Sequence, residues 1–428
     1  MQKRKLPVGI DIFEKIRTND FYYVDKTLFI RDLLENWGEA NLFTRPRRFG
    51  KTLTMKMLQT FFEIDKDHKD LFAGLDISKE SALCAEHMNK YPVVFLTLKS
   101  VEGEDFAQAL KRMGIVVAEE CRRLSFLEQS QQIGLDDRND FIALKANAAA
   151  HEQLANSLRI ISRMLEAHYG QKVVLLIDEY DVPLDKAFHN GYYEKMISFM
   201  RVFLGNALKT NDALRFAVIT GCLRISKESI FTDLNNLIIN TITDSDHDEH
   251  FGFTDTEVRK MLEDYNLSSV YDDLREWYNG YRFGEANLYC PWDIINHIAK
   301  LKNNPNIRPR CYWNNTSSNN MIRRFIDKAD NTTRKEIEDL IAGKSVEKVI
   351  TESLTYGELD EHIDNLWSVL FLTGYLTRTQ DPLGLEEEPI KLVIPNREVR
   401  TIFIEKVQKW FTEQLQDAKN QEEHIFQS

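Results

Sequence analysis

Continuous aliphatic runs alternate with amphipathic stretches over the first half of the chain. Leu42–Thr44 is a short apolar run that stops at Arg45-Pro46. From Leu53 the apolar positions recur at Met57 and Phe61, a spacing of four that belongs to a helix. Tyr91–Leu98 reads as a strand buried on both faces. Leu154, Leu158, Ile161 and Leu165 line one face of a helix between His151 and Tyr169, and Gly170 suits its C-terminal cap. Val173–Ile177 follows as a second buried strand. Met196, Phe199, Met200, Phe203 and Leu208 then mark another helix, and Leu214–Ile219 a third buried strand. Unalternating strands separated by amphipathic helices predict a parallel sheet with helices on both faces, an α/β domain spanning residues 1–245.

The texture changes after that. Phe253-Thr254-Asp-Thr-Glu257-Val258 carries a capping box, with Thr254 as N-cap, Glu257 at the third helical position and a Phe253/Val258 staple. Val258, Met261, Leu262 and Tyr265 continue that helix on one face. Short helices alternate with polar loops from here to about residue 350, so residues 246–300 are expected to form a helical lid. Residues 301–428 are expected to form a helical, winged-helix-like α+β region. Its order is a helix through Leu366, Leu370 and Phe371, strands at Tyr375–Thr377 and Ile390–Ile394, and a helix from Asn396.

Composition narrows the class without deciding it. The 428 residues are 43% hydrophobic and 29% charged, ordinary for a well-cored globular chain of two or three domains. The balance of 55 basic against 67 acidic residues, a net charge of −12, argues against a wholesale nucleic-acid coat. No apolar stretch approaches the roughly 20 residues that span a bilayer, so no membrane role is expected. Five cysteines lie far apart with no CxxC pair, which suits reduced thiols in a cytoplasmic protein.

The stretch that carries chemistry is Thr44-Arg45-Pro46-Arg47-Arg48-Phe49-Gly50-Lys51-Thr52. Gly-Lys-Thr lies where a strand turns into a helix, the context that a phosphate-binding loop requires. Backbone N–H groups at the helix start face the phosphates there, and the helix dipole favours negative charge. Lys51 would reach the β- and γ-phosphates, and the Thr52 hydroxyl would bind Mg²⁺. The triplet by itself also fits an ordinary strand–helix turn with an exposed lysine, and Arg45 stands where such loops usually begin with Gly. The second element is Val173-Val-Leu-Leu-Ile-Asp178-Glu179-Tyr180-Asp181, an apolar strand ending in acids at the carboxyl edge where α/β sheets bind ligands. Asp178 fits a Mg²⁺ role and Glu179 the orienting of an attacking water; Asp181 fits either the site or a loop cap. The third strand ends at Thr220, placed to sense a γ-phosphate. Arg224 or Lys227 beyond it could neutralise developing charge or be a solvated surface group.

These stretches resemble the bacterial and archaeal AAA-ATPase-like family of predicted P-loop ATPases, itself similar to the signal-transduction ATPases with numerous domains. The resemblance rests on Leu6–Asp11 with Tyr22–Thr27, on Arg45–Thr52, and on Ile177–Asp181. It continues through Thr220-Gly221 with Leu223–Phe231, and Trp277–Phe283. It implies a P-loop NTPase that binds ATP with Mg²⁺ and hydrolyses it, nucleotide contacts running from Arg45 to Leu53, and Asp25 and Lys26 near the base. Arg at the first loop position belongs to the family pattern. Members often carry a C-terminal restriction-endonuclease-like domain. No carboxylate–Lys signature follows residue 400, so this chain is expected to lack that domain or to be cut before it.

Three further features keep two readings each. Trp277–Phe283 is either a hinge for the lid or aromatic packing around a Gly turn. Asp244-Ser-Asp246-His247-Asp248-Glu249-His250 invites a metal reading but lacks the Gly and the final Glu of a calcium loop, so a solvated acidic loop competes. Residues 301–350 hold ten basic against six acidic side chains, either a nucleic-acid or protein contact in the C-terminal region or a solvated surface. The oligomeric state is not legible.

Overall fold

The computed structural model describes residues 3–36, 38–224, 236–313, 319–354, 358, 362–381 and 388–427. The chain divides into two compact units, residues 2–251 with 353–357, and residues 252–352 with 358–428. The stretch expected as a lid, 246–300, thus straddles the division.

The first unit is built on five parallel strands: β1 (Ala40–Thr44), β2 (Val93–Thr97), β3 (Val173–Asp178), β4 (Leu214–Gly221) and β5 (Leu237–Asn240). Their order across the sheet is β2-β3-β4-β1-β5. All of β1 and β3 is buried, as their continuous aliphatic character requires of strands covered on both faces. Helices flank the sheet. His151–Tyr169 ends at Gly170, whose φ of 68° is the left-handed cap that residue allows. β5 was not legible: four residues leave too few positions to show a pattern.

Register decides what happens at the carboxyl edge. Thr97 pairs with Asp178, and Ile177 with Ile219, so Thr97, Asp178 and Thr220 stand side by side on three adjacent strands. Phe43 pairs with Thr220 and Thr44 with Gly221, which brings the exit of β1 to the same level. A slip by one residue would send Asp178 to the opposite face of the sheet.

In the second unit, β6 (Phe253–Thr254), β7 (Tyr281–Phe283) and β8 (Ala286–Tyr289) form a small antiparallel sheet in the order β6-β8-β7. These strands of two to four residues are too short to alternate visibly, and the sequence alone points only to helices there. The capping box is present: Glu257 N–H donates to Thr254 Oγ1 at 3.3 Å, and Thr254 N–H to Glu257 Oε2 at 2.8 Å. Trp277–Phe283 packs around a Gly turn. Gly280 has φ 99°, and a Cβ there would lie 2.0 Å from the Pro395 carbonyl oxygen, so only glycine fits. Further on, β9 (Val346–Lys348), β10 (Thr377–Arg378) and β11 (Ile390–Val393) make a three-stranded antiparallel sheet in the order β10-β11-β9. The helices Ile363–Leu372 and Arg397–Gln427 precede β10 and follow β11. The loop 382–387 lies outside the described residues. Several basic residues of 301–350 are paired, Arg323 with Asp327 and Glu413, Lys344 with Asp339 and Lys348 with Glu336, which favours an ordinary surface over a free basic patch.

Candidate functional site

β1 delivers the chain into the loop 45–50, and the helix Lys51–Phe62 begins directly after it. Two residues in this turn have left-handed backbone, Arg48 at φ 72° and Gly50 at φ 90°. Such conformations turn successive N–H groups to one side and form anion-binding concavities. The first N–H groups of the following helix have no acceptors within it. Phe49 anchors the loop from beneath, with its ring 1% exposed, and Pro46 is buried as well. These two residues, with Gly50 and the half-buried Leu53, can meet a ligand mainly through backbone.

Arg45 does something else. Its side chain is fully buried, and Nη1 donates to the carbonyls of Thr44 at 2.9 Å, Asn240 at 3.0 Å and Thr241 at 2.7 Å. The guanidinium also lies 5.2 Å from the centre of the Phe251 ring. Burial lowers its pKa to about 10, so it remains a cation. The expected nucleotide contact of Arg45 is therefore not one of its guanidinium, which clamps β1 to the end of β5. Its N–H is engaged too, by the Gly221 carbonyl at 3.1 Å.

Lys51 is 3% exposed. Its ammonium donates to the carbonyls of Arg45 at 3.0 Å and Pro46 at 3.2 Å and to Cys222 Sγ at 3.5 Å, and lies 3.8 Å from Glu179 Oε1. Burial opposes that charge, but the neighbouring Cys222 sulfur and the carboxylates of Glu179, Asp181 and Asp178 outweigh it and raise the pKa to about 12. Burial likewise pushes the Cys222 thiol up to about 12, so it stays neutral. Arg47 reaches toward Asp185 at 3.9 Å; burial opposes its charge, while Cys222, Asp185, Asp181 and Glu179 raise its pKa. Arg48 is half-buried in the turn.

Asp178 is fully buried and is answered by three hydroxyls. Thr52 Oγ1 donates to Oδ2 at 2.8 Å, Thr97 Oγ1 approaches Oδ2 at 3.5 Å, and Thr220 Oγ1 donates to Oδ1 at 2.6 Å. Burial, with Glu179 adjacent, raises its pKa, and the threonines pull against that rise. A hydroxyl and a carboxylate oxygen 2.8 Å apart match the spacing of neighbouring ligands around an octahedral Mg²⁺, about 2.9 Å for bonds near 2.1 Å. The donor set is hard and all oxygen, so Thr52 and Asp178 fit that ion. Glu179 has φ 57°, an uncommon conformation for a glutamate, and it turns the side chain toward Lys51.

The chain belongs to the predicted AAA-ATPase family. The family's sequence model, described as Predicted AAA-ATPase, matches residues 7–231, which contain the loop, the Asp178–Asp181 segment and Thr220. A relative is the uncharacterized protein in the vnfD 5′ region of Azotobacter chroococcum mcd 1, 29% identical over 403 residues, 94% of this chain and 69% of the relative. Within this AAA-ATPase-like chain the fold brings Lys51, Thr52, Asp178, Glu179 and Thr220 together.

Other expected residues stand apart from that group or outside the description. Asp25 Oδ1 accepts from Thr27 N–H and Oγ1 at 2.9 and 2.6 Å, and Oδ2 from Asp76 N–H at 2.7 Å, which makes it a brace between two local turns. Lys26 donates to the Glu249 carbonyl at 2.7 Å. Arg224 pairs by backbone with Ser353, and its buried Nε has no hydrogen-bond partner among the described residues. Lys227 lies outside the described residues. Asp181 ties loops together: Oδ2 accepts from Cys222 N–H at 2.8 Å and Leu223 N–H at 3.1 Å, and burial, then Glu179, pushes its pKa up to about 6. Gly221 makes this possible, since a Cβ there would lie 2.6 Å from the Tyr180 ring. Thr97 was missed, although its signal, a polar residue at the tip of a buried strand, is the one that marks Thr220. Among the described residues no helix is long and apolar enough to cross a membrane.

Proposed function

We propose that this AAA-ATPase-like chain binds ATP with Mg²⁺ and hydrolyses it, and that turnover is coupled to a rearrangement of the chain. The observation that carries the reading is the Asp178 carboxylate held by Thr52 and Thr220 beside a buried Lys51. Lys51 at present donates to two loop carbonyls; a polyphosphate would replace them with charged oxygens, which are stronger acceptors. Loop N–H groups and the helix start would hold the β-phosphate region. Mg²⁺, held through Thr52 and Asp178, would supply charge neutralisation. Glu179, aimed by its left-handed backbone, would accept the proton of the attacking water, and Thr220 would keep Asp178 oriented while sensing the γ-phosphate. A nucleic-acid or protein partner would be engaged through the C-terminal region, residues 301–428.

Paired measurement of Mg·ATP affinity and phosphate release in Glu179→Gln and Asp178→Asn tests this. Glu179→Gln keeps size and hydrogen bonding but removes basicity. Its affinity should stay within a few-fold while hydrolysis falls about 100-fold or more. Asp178→Asn should also weaken Mg²⁺-dependent binding. Normal turnover in Glu179→Gln would refute the role of Glu179. Binding without turnover in the unmodified protein would make the chain a nucleotide-gated switch instead.

A further inference from the structure

The segment Asp244–His250 looks acidic in sequence, yet the fold turns its two histidines, not its acids, toward a common point. Asp244 is engaged locally, accepting from Thr241 N–H at 2.6 Å and Thr241 Oγ1 at 3.0 Å. The carboxylate that faces the histidines comes from Asp32, on the helix Leu28–Glu35, more than 200 residues earlier. One ligand atom each from Asp32, His247 and His250 lies within 4.8 Å of the other two. His250 Nε2 is 2.7 Å from Asp32 Oδ2. The other oxygen, Oδ1, is taken by Arg31 Nε at 2.9 Å and Nη2 at 2.8 Å, so Oδ2 is the one presented.

Three features go beyond a hydrogen-bonded pair. Among the described residues His247 Nδ1 is buried with no hydrogen-bond partner, an uncommon state for a ring nitrogen in a folded interior. His247 is held at φ 59°, outside the ordinary range, in the conformation that brings its ring inward. Phe29 packs edge-on against both imidazoles, at 5.4 and 5.3 Å, and Phe43 against His247 at 5.3 Å, which orients the rings and dries one side of the cluster.

We propose that Asp32, His247 and His250 form a metal site of the zinc class, with water as fourth ligand. Two nitrogens and one oxygen suit Zn²⁺ and its divalent transition-metal neighbours, whereas Ca²⁺ and Mg²⁺ seek oxygen alone. Ligand atoms around tetrahedral zinc stand about 3.3 Å apart for bonds near 2.0–2.1 Å, so the cluster needs only to draw in. The ion takes the place of the proton between His250 Nε2 and Asp32, and that proton moves through water to Nδ1 of the same His250 ring, which stays neutral. The chain leading into this segment supplies the Thr241 carbonyl that holds Arg45, so the metal would staple the start of the phosphate loop to the helix Leu28–Glu35. This assignment stands apart from the nucleotide reading.

Cobalt(II) added to the chelator-treated full chain tests it. One equivalent should bind with the visible bands of a four-coordinate site and without a thiolate charge-transfer band. Asp178→Asn should bind it equally, whereas His250→Gln and Asp32→Asn should bind at least about 100-fold more weakly. In the unmodified protein, Zn²⁺ should slow hydrogen exchange across 241–251 and 28–35, a readout that does not depend on variants folding. No stoichiometric uptake, a thiolate band, undiminished uptake in folded His250→Gln, or unchanged exchange in both segments would overturn the assignment.

Discussion

Both units bury charge, but they do so to different ends. In the second unit Glu398 is fully buried, and its Oε1 accepts the N–H groups of Tyr312 and Trp313, so a side chain serves two backbone amides. His297 is 1% exposed and lies against the Tyr312 hydroxyl at 3.1 Å. In the first unit Lys51, Asp178, Glu179 and Asp181 are gathered at the carboxyl edge of a sheet, where cation and acids face one another and hold provisional partners. Loop carbonyls serve Lys51, and threonine hydroxyls serve Asp178. Buried charge by itself therefore marks nothing. What marks a site is buried charge whose present partners can be exchanged for a ligand.

The largest effect should come from Lys51→Ala. It removes the buried ammonium 3.8 Å from Glu179, and calorimetry should show ATP affinity falling by several kcal/mol in a protein that still folds. Unchanged affinity would erase the distinction between the units. Arg45→Ala sharpens it from within the first unit. This neighbouring cation is answered by fixed carbonyls, as Glu398 is by fixed amides, so its loss should lower the stability to denaturant by about 3 kcal/mol. Mild destabilisation with lost ATP affinity would move Arg45 into the exchangeable class.

The second unit gives the smallest and most pH-bound effect. Burial, reinforced by Arg310, lowers the pKa of His297 from an ordinary 6.5 to about 4. Its neutral form therefore contributes stability that is complete above pH 6.5 and is lost as pH falls toward 4. The loss amounts to at most about 3 kcal/mol. Denaturant curves across that range should be shallower in pH for His297→Gln than for the unmodified chain, and equal slopes would show that the ring is not buried neutral.

Much of the first unit was legible because its signals are local. A run of five buried aliphatic residues ending in Asp-Glu, a Gly-Lys-Thr at a strand–helix turn and a glycine after a 19-residue amphipathic helix each follow from adjacent residues. The capping box at Thr254 and Glu257 is local in the same sense. Strands β5 to β8 were not legible, because two to four residues cannot display a period.

The sequence by itself determined the class of the first unit, the position of the Gly-Lys-Thr turn between β1 and its helix, and the acids at the tip of β3. Hydrophobic periodicity and turn chemistry act over a few residues, and these features need nothing more. Only the tertiary structure decided that Thr97 joins Thr52 and Thr220 around Asp178, because strand register is set between distant segments. It also turned Arg45 inward to the carbonyls of residues 240 and 241, and brought Asp32 to His247 and His250 in place of the neighbouring acids. Those choices depend on which distant backbone groups lack partners once the sheet has formed, and no window of adjacent residues contains that information.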